Sequence, residues 1–559
     1  MTNRISSADS AGHGDAGRPA PGASPWSPLR RPGFRAIWTA WVASNTGIWM
    51  QSVGAAWLMT SLTPSPLLVA LMQTATSLPI FLVGLPAGAL ADVVDRRKLL
   101  LGTVAWMLLV ALVLDLLTQA DRMSASILLT LMFLLGLGGA LNAPAWLASV
   151  PEVVEREELP AAVALHSAGF NVARAVGPAL GGVVVAAAGP AAAFLLNAAF
   201  FLAVLLVLFR WRRTRVASVA PPEDLLGATA AGLRYVRHAP AVQAVLVRTG
   251  AFTLGASALW ALLPVIARNE LGLDATGFGI VLGSLGVGAL GSALLLPRLR
   301  RTLSVDGLTV GATLIFAAVT LALAYVHVLP LLLASMLAGG MAWLAILSSL
   351  TVAAQMAAPS WVRARAVGTY LLVFQGLMAA GSFAWGALAQ QWGNGTALSV
   401  AAVVLVCGLL VTRRWPLHAV QGLDLTPSGH WPDPTLALSP GLEDGPVLIT
   451  VEYRVPAEHA SEFAQAMEAM RTFRRREGAV RWDLFRDLAM PERYLELFVV
   501  PSWGEHLRQH TRVTVDDEAI EARAFAFQQP GVAPVAAHLI AVRADADRPP
   551  MQPPYAELS

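Results

Sequence analysis

The chain has 559 residues, of which 56% are hydrophobic and only 13% are charged. Soluble domains carry about 25% charged residues, so this composition excludes an ordinary soluble protein and indicates a polytopic membrane protein. The formal net charge is only +3, and the sequence contains no basic surface laced with aromatic residues. Nucleic acid is therefore excluded as a partner, and we expect the lipid bilayer to take that place.

The first 33 residues are rich in Gly, Ala, Ser and Pro and contain no apolar segment. They match neither a signal peptide nor a folded unit, so we predict a flexible cytoplasmic tail over residues 1–33. Twelve apolar stretches follow, most of them about 18 to 25 residues long, and each can cross the hydrocarbon core of a bilayer. They lie at 36–60, 67–91, 99–119, 125–147, 161–187, 191–209, 242–266, 275–297, 305–326, 329–352, 366–390 and 394–412.

Basic residues cluster in alternate loops between these stretches, whereas the other loops carry almost none. The clusters are Arg30–Arg35, Arg96–Lys98, Arg210–Arg215, Arg298–Arg301, Arg363–Arg365 and Arg413–Arg414. Lys and Arg are retained on the cytoplasmic side of membrane proteins. We therefore predict a multi-pass protein of the inner or plasma membrane with both termini in the cytoplasm.

The fifth and eleventh stretches resemble each other, which indicates an internal repeat. Val163, Phe170, Asn171, Gly177 and Gly182 recur at the same spacing as Val367, Phe374, Gln375, Gly381 and Gly386. Repeats of this kind are common in secondary transporters. The sequence therefore predicts two six-helix halves, at 34–210 and 242–415.

A basic linker at 211–241 joins the two predicted halves. Within it, Leu225, Leu226, Ala230, Leu233 and Val236 recur at helical spacing, opposite to basic side chains. This pattern predicts an amphipathic helix that lies on the inner leaflet.

The loop after the second stretch carries the run Gly88-Ala-Leu-Ala-Asp92-Val-Val-Asp95-Arg96-Arg97-Lys98. This run resembles the signature between helices two and three of the major facilitator superfamily. The second acid followed by two arginines resembles the transmembrane secretion effectors, a subgroup that includes siderophore exporters. The resemblance implies that Asp92, with Asp95, Arg96 and Arg97, holds the two halves together on the cytoplasmic face. The sequence departs from the signature at Val93 and Asp95.

Two partners are available to Asp92 on physical grounds. Its carboxylate can accept from the free amides at the start of the eleventh stretch, or it can pair with Arg363 or Arg365. The alternative is that the loop is only a solvated, positively charged turn.

The fifth stretch contains Gly177-Pro178-Ala-Leu-Gly181-Gly182. This segment resembles the end of the antiporter motif of the same superfamily, which implies outward transport. Proline removes one backbone hydrogen bond and the glycines reduce side-chain bulk, so the helix can kink and rock against a neighbour. The alternative is a close-packed helix crossing without directional meaning.

Polar residues within the stretches are candidates for binding substrate or protons. They are Arg174, Asn171, His166, Asp115, Asn45 and Gln375. A permanently charged Arg174 inside a span is costly, so it either binds an anionic substrate group or clamps backbone carbonyls of adjacent helices. His166 titrates near neutral pH or stays hydrogen-bonded in its helix. Asp115 either carries protons or only reaches the outer interface.

Aromatic residues in the stretches suit a bulky, amphipathic cargo if they line a cavity. The candidates are Trp38, Trp41, Trp49, Trp57, Phe170, Trp260, Trp343, Phe374 and Trp385. The alternative is that they form interfacial belts, where tryptophan is enriched.

After a Pro- and Gly-rich linker at 416–445, alternating patterns predict a domain of order β-α-β-β-α-β at 446–543, followed by a flexible tail at 544–559. This order is ferredoxin-like. Gly478–Trp482 and Phe498–His506 are similar to the dimeric α/β-barrel domains of the antibiotic-biosynthesis monooxygenase type. The resemblance implies a homodimer through the sheet, or a bound cytoplasmic ligand.

No cofactor motif or set of metal ligands is found in this domain, so we expect neither a cofactor nor a metal. His506 and His510 have the spacing of a metal-binding pair but no third ligand nearby, and we expect them on a solvated helix face.

The fold class predicted from the sequence is thus all-α, with twelve transmembrane helices in two halves, plus an α+β domain. The predicted function is not enzymatic: proton-driven export of a bulky metabolite, siderophore or drug-like compound by alternating access. Two alternatives stay open. One is a nutrient importer, and the other is a sensor or enzyme centred on the C-terminal domain.

Overall fold

A computed structural model of the chain describes residues 26–211, 225–417, 420, 422–432, 434 and 436–542. The tail predicted at 544–559 and most of the tail predicted at 1–33 lie outside these residues. The long helices of the membrane region are α1 (Pro32–Leu62), α2 (Pro66–Val93), α3 (Arg96–Gln119), α4 (Ala125–Ser149), α5 (Leu159–Arg210), α7 (Pro240–Asn269), α8 (Ala275–Thr302), α9 (Val305–Tyr325), α10 (Leu329–Met356), α11 (Arg363–Trp392) and α12 (Asn394–Thr412). The shorter α6 (Leu225–His238) connects the two halves.

Ten helices in the described part of the chain are long and apolar enough to cross a membrane. One of them, the 52-residue α5, is two spans, because Gly189 has φ 80° and ψ 171° and breaks the helix. Only glycine adopts this conformation readily, and Pro190 suits the first turn of the next helix because it needs no hydrogen-bond acceptor there. Together with the more polar α1, these spans confirm the predicted twelve.

The two halves meet along two seams, α5 with α8 and α2 with α11. Equivalent glycines of the predicted repeat occupy equivalent places. Gly177 packs on Trp49 of α1, and Gly381 packs on Ser257 of α7 within the other half. The next glycine of each repeat faces the opposite half, Gly182 on α8 and Gly386 on α2. Small residues let these helices approach closely, so both seams are tight.

Several hydrogen bonds between the halves lie away from the basic loops. Ser65 Oγ donates to Gln390 Oε1 at 2.6 Å, and Thr74 Oγ1 donates to the carbonyl of Ala379 at 2.9 Å. At the same side, Arg268 stacks over the ring of Trp57 at 5.0 Å and donates to Thr60 Oγ1 at 3.2 Å. These contacts join the halves at the end that is poor in basic residues.

The C-terminal region folds as β1 (Val447–Arg454), α13 (Ala460–Arg476), β2 (Arg481–Arg486), β3 (Arg493–Val500), α14 (Trp503–Arg512), α15 (Val515–Phe525) and β4 (Val535–Ile540). The strands form an antiparallel sheet of order β2-β3-β1-β4, which is the predicted ferredoxin-like arrangement. Alternate residues of β1, from Val447 to Tyr453, are buried against the helices. The period-two pattern of the sequence therefore identified the strands and their inner face.

The segment before β1 packs against this domain. Ser428 N donates to the carbonyl of Val513 at 3.0 Å, and Val515 N donates to the carbonyl of Thr426 at 3.0 Å. Further along, Trp431 Nε1 donates to Glu521 at 2.9 Å. Part of the predicted linker at 416–445 is thus fixed to the domain that it precedes.

The linker helix α6 connects the C-terminal domain to the membrane region. Tyr235 is buried, stacks edge-on against Trp361 in the α10–α11 connection at 5.6 Å, and lies beside Arg476 of α13. Arg234 pairs with Glu505 of α14 at 2.8 Å. The buried side of the described part of α6 faces protein. Leu233, which belongs to the predicted apolar stripe, is instead 65% exposed.

Candidate substrate cavity between the two halves

A cavity of about 560 Å³ lies between the halves, within the size range that holds drug-sized ligands. Its walls come from α1, α2, α4, α5, α7, α8, α10 and α11 and are mostly apolar. Among the described lining residues there is one charged side chain, Arg174 of α5. The cavity therefore combines a large apolar surface with a single fixed positive charge.

Arg174 is only 8% exposed, and its surroundings are incomplete. Its Nη2 donates to Asn171 Oδ1 at 3.0 Å, one turn earlier in the same helix. Its buried Nε has no hydrogen-bond partner, and no described carboxylate forms an ion pair with it. A guanidinium stays charged in proteins, and a buried charge without a counter-ion is costly. An anionic group in the cavity would remove this cost.

The backbone of Arg174 lies on the seam between α5 and α8. A Cβ added to Gly286 of α8 would lie 2.8 Å from the carbonyl of Arg174, and one added to Gly279 would lie 2.7 Å from that of Pro178. Gly182 faces Gly279 from the other side of the same seam. The glycines of α5 were predicted from the sequence as packing residues, but their counterparts on α8 were not. Their small-xxx-small spacing was the available signal.

The motif glycines of α5 therefore divide between two neighbours. Gly177 and Gly181 face α1, where added Cβ atoms would lie 2.6 Å from Trp49 Cβ and 2.7 Å from Met50 Cα. Gly182 and the carbonyl of Pro178 face α8 of the other half. The motif thus provides close packing both within its own half and across the seam.

Aromatic residues form a continuous part of the cavity wall. Five of the nine aromatic candidates line it: Trp49, Phe170, Trp260, Trp343 and Phe374. Trp343 is central to this wall, because its ring lies 5.3 Å from that of Trp260 and 6.1 Å from that of Phe374. Such a wall offers stacking surface to a flat or ring-containing substrate.

The structure separates the six polar candidates into two groups. Arg174 and Gln375 line the cavity, and Asn171 contacts it through Arg174. His166 instead stacks on Trp41 with ring centroids 3.6 Å apart. Asp115 is buried within α3 and accepts from Gln119 Nε2 at 2.7 Å, while Asn45 donates to the carbonyl of Trp41 in its own helix at 2.9 Å.

Polar residues of α2 also line the cavity. Gln73 Nε2 donates to Ser77 Oγ at 2.9 Å, and Thr76 lies between them in sequence. Ser77 and Thr76 were not predicted from the sequence, where hydroxyl side chains in apolar helices give no clear signal because they usually bond to their own backbone.

The predicted gating residues form contacts within each half. Asp95 caps α3 by accepting from Lys98 N at 3.1 Å, and Arg96 binds Glu152 at 2.8 Å. Arg97 donates to the carbonyl of Leu208 at 3.1 Å. The side chain of Asp92 lies outside the described part of the chain.

The corresponding residues of the second half lie at the start of α11. Arg363 Nε donates to the carbonyl of Ala358 at 3.3 Å, whereas the side chain of Arg365 packs on Gly232 of α6. Arg365 thereby contacts the helix that packs against the C-terminal domain.

In the C-terminal domain, the prediction of a solvated face for His506 and His510 is wrong for His506, which is 2% exposed. Its ring contacts those of His510 and His538. The signal was present in the sequence, because Trp503, His506 and His510 fall on one face of a helix. The described residues contain no group of three side chains placed to hold a metal ion.

Two six-helix halves with paired seams around a central cavity define a membrane transporter of the major facilitator type. The sequence family agrees with this class, since the model of the transmembrane secretion effectors matches residues 23–546. The chain therefore belongs to the transmembrane secretion effector family.

Curated relatives include siderophore transporters. The chain is 27% identical to the staphyloferrin A transporter of Staphylococcus aureus (strain NCTC 8325 / PS 47), over 45% of this chain and 64% of that one. It is 30% identical to the enterobactin exporter EntS of Escherichia coli O1:K1 / APEC, over 51% of this chain and 68% of that one. The chain thus spans about two thirds of the length of each relative.

Solved structures share the fold at low sequence identity. A bacterial homologue of the human lysosomal transporter Spinster, in an inward-facing and unoccupied conformation, has a TM-score of 0.54 and 14% identity, over 70% of this chain and 97% of that one. The nucleoside transporter NupG has a TM-score of 0.55 and 13% identity, over 68% of this chain and 98% of that one.

Proposed function

We propose that this protein exports a bulky small molecule with an anionic group and ring systems, of the siderophore type, from the cytoplasm. The observation that carries the proposal is Arg174, a buried charge without a carboxylate partner among the described residues, in a mostly apolar cavity with aromatic walls. A substrate anion would complete its coordination, and Trp343 and Phe374 would stack on substrate rings. The names of the relatives support both the substrate class and the outward direction.

Alternating access would proceed by rocking of the two halves on the α5–α8 and α2–α11 seams. The support is the contact of Gly182 with the backbone of Gly279 and the close packing of its counterpart Gly386 on Ala70 of α2. In this proposal Asp92, Asp95, Arg96 and Arg97 stabilise the state closed to the cytoplasm, together with Arg363 and Arg365. The Asp92→Asn variant should insert normally but lose export.

The proton gradient would supply the driving force. The resemblance of the α5 motif to antiporter motifs supports this coupling. Asp115 and His166 are the titratable candidates of the first half, although both lie away from the cavity lining. A coupling proton on either residue would act on the packing of α3 or α5 rather than on the substrate directly.

Both termini would face the cytoplasm, and the C-terminal domain would form a homodimer through the open face of its sheet. That face carries partly exposed apolar side chains on three strands, Leu448, Leu497, Val499 and Leu539, beside the exposed Phe485. In detergent, the native mass of the full chain should be that of a dimer. The Leu497→Arg variant should be a monomer.

The function is tested by measuring efflux of a panel of siderophores and lipophilic dyes from expressing cells, with and without a protonophore. We expect at least one siderophore to be extruded in a protonophore-sensitive manner and its extrusion to be lost in Arg174→Gln. Arg298→Gln, which changes an exposed arginine of α8, is the matched control. Accumulation of the compound inside the cells would instead establish an importer.

A further inference from the structure

A second cavity, of about 730 Å³, lies inside the C-terminal domain, away from the membrane cavity. Its floor is the helix-facing side of the sheet, with Val447, Ile449 and Val451 of β1 paired to Ile540, His538 and Ala536 of β4. Phe498 and Phe525 complete an apolar base. A cavity of this size and character can hold a drug-sized molecule.

The described residues between 430 and 440 line one side of this cavity, and three of them are prolines. We call these residues the lid. His430 Nε2 lies 2.6 Å from Glu521 Oε2, and Trp431 Nε1 donates to the same oxygen at 2.9 Å. The ring of Trp431 also lies over the guanidinium of Arg474 at 5.0 Å. The start of the lid is thus attached to the domain by one carboxylate and one guanidinium.

Five rings from the lid, from α14 and from β4 surround the space. The ring centroid of His506 lies 5.2 Å from that of Trp503, 4.8 Å from that of His538 and 4.9 Å from that of His510. Trp431 of the lid meets His510 edge-on at 5.1 Å. Rings in this arrangement present both faces and edges to a guest, which favours a flat aromatic molecule.

Among the described residues, the charges that line the cavity are already paired. Arg474 is bound by Glu496 at 3.0 Å and by Glu521 at 2.9 Å, and His430 Nε2 lies 2.6 Å from Glu521. Burial lowers the pKa of His506 to about 3 and lowers that of His538, so both imidazoles are neutral near pH 7. His506 already contacts Gln509 Oε1 through Nδ1 at 3.2 Å and His510 through Nε2 at 3.4 Å, so His538 is the imidazole offered to a hydroxyl group.

We propose that this cavity binds an uncharged aromatic compound that carries a hydroxyl group, with the ring stacked among Trp503, His506 and His538 and the hydroxyl bonded to the imidazole of His538. The site is separate from the membrane cavity and does not depend on the export proposal. Two sources of such a compound exist, the transported cargo in an uncharged form and an unrelated cytoplasmic metabolite.

The test measures binding of 2-naphthol to the purified full chain by equilibrium dialysis. Naphthalene lacks the hydroxyl group, and 2-naphthoate carries a charge. We expect 2-naphthol to bind about fivefold more tightly than naphthalene, the effect of one hydrogen bond of about 1 kcal/mol. We expect 2-naphthoate to bind more weakly than either compound, because its charge would lose hydration without gaining a partner.

Variants locate the site. In His506→Phe/His538→Phe the rings remain but the imidazole nitrogens are lost, so naphthalene should still bind and the preference for 2-naphthol should disappear. His538→Phe alone, on the edge strand β4, is the milder variant if the double change impairs folding. His459→Phe changes an exposed position of the same domain and should bind like the wild type. Uptake of the compounds by detergent is the same for every variant, so it does not affect the comparison.

Retention of the hydroxyl preference in the folded double variant, tighter binding of 2-naphthoate, or no binding of 2-naphthol to the wild type would each overturn the proposal. Arg174→Gln should bind 2-naphthol as the wild type does, whatever its export activity, and this separates the two cavities. Export of 2-naphthol from expressing cells would identify the cargo as the source. Retention inside the cells would identify a cytoplasmic metabolite.

Discussion

Two buried arginines, Arg174 in the membrane cavity and Arg474 in the C-terminal domain, have opposite surroundings. Arg474 is 4% exposed and bound by two glutamates, whereas Arg174 is 8% exposed and bonds to Asn171 alone among the described side chains. Burial acts to lower the pKa of Arg474, but the Glu496 and Glu521 carboxylates outweigh it and hold the pKa above its ordinary value. The charge of Arg474 is compensated within the fold, whereas the charge of Arg174 is available to a ligand.

Removing the charge of Arg474, which two glutamates compensate, should have the largest effect, a loss of stability. Arg474→Met keeps most of the side-chain volume but leaves Glu496 and Glu521 buried without their partner. We expect the C-terminal domain to lose about 3–5 kcal/mol of stability. Hydrogen exchange of β1 in the full chain, followed by mass spectrometry, measures this loss.

Arg471→Met is the control for that experiment. Arg471 lies on the same helix but pairs only with Glu468 at the surface, 3.4 Å away. Its loss should change exchange by less than about 0.5 kcal/mol. Equal effects of the two variants would remove the distinction between a structural and an available arginine.

Removing the uncompensated charge should affect transport and leave folding intact. We expect Arg174→Gln to reduce the rate of siderophore export about 30-fold, corresponding to about 2 kcal/mol for a hydrogen bond to a charged group. Thermal stability of the purified protein should be unchanged or higher, because a buried charge without a counter-ion is gone. A large loss of stability would instead indicate a clamp on neighbouring backbone.

A carboxylate placed beside Arg174 should imitate the situation of Arg474. Asn171 Oδ1 already accepts from Arg174, so Asn171→Asp changes charge with almost no change of shape. We expect export to fall about tenfold, since the new ion pair competes with the substrate anion for the guanidinium at a cost near 1.4 kcal/mol. Asn171→Ser, which adds no charge, serves as the comparison and should stay within about threefold of wild type.

The smallest effect concerns the neutral imidazoles beside Arg474. Burial lowers the pKa of His506 to about 3, while an unfolded histidine titrates near 6.5. Between these values the unfolded state binds the additional proton, so stability is lost as the pH falls below about 6.5. From pH 7 to pH 6 we expect the domain to lose under about 1 kcal/mol, measured by hydrogen exchange. In His506→Phe this part of the pH dependence should vanish.

The membrane fold could be predicted almost completely from the sequence, because apolar length decides the spans. The rotation of each helix about its axis could not. A helix in lipid is apolar on all sides, so no hydrophobic stripe shows which residues face the cavity. Arg174 and Gln375 line the cavity, whereas Asp115, Asn45 and His166, chosen on the same grounds, are not among its described lining residues.

In the C-terminal domain, by contrast, the sequence shows which side of each element is buried. One face of the sheet meets the core and the other meets water, so Val447, Ile449 and Val451 alternate with more exposed residues. This alternation predicts both the position of the strand and its buried face. From the sequence, the lid is predicted only as part of a linker. A proline-rich segment has no periodicity, and the position of the lid depends on Glu521, nearly a hundred residues later. Long-range contacts of loops carry no local signal.

Helix α14 has two working faces. One carries Trp503, His506 and His510 into the C-terminal cavity, while on the other Glu505 holds Arg234 and Arg512 lies 4.1 Å over the ring of Trp361. The helix has ten residues, so the cavity and the α10–α11 connection contact the same short helix. If binding of a compound favours one position of this connection by some factor, that position raises the affinity for the compound by the same factor. The affinity of the domain for its ligand would then depend on the stage of the transport cycle.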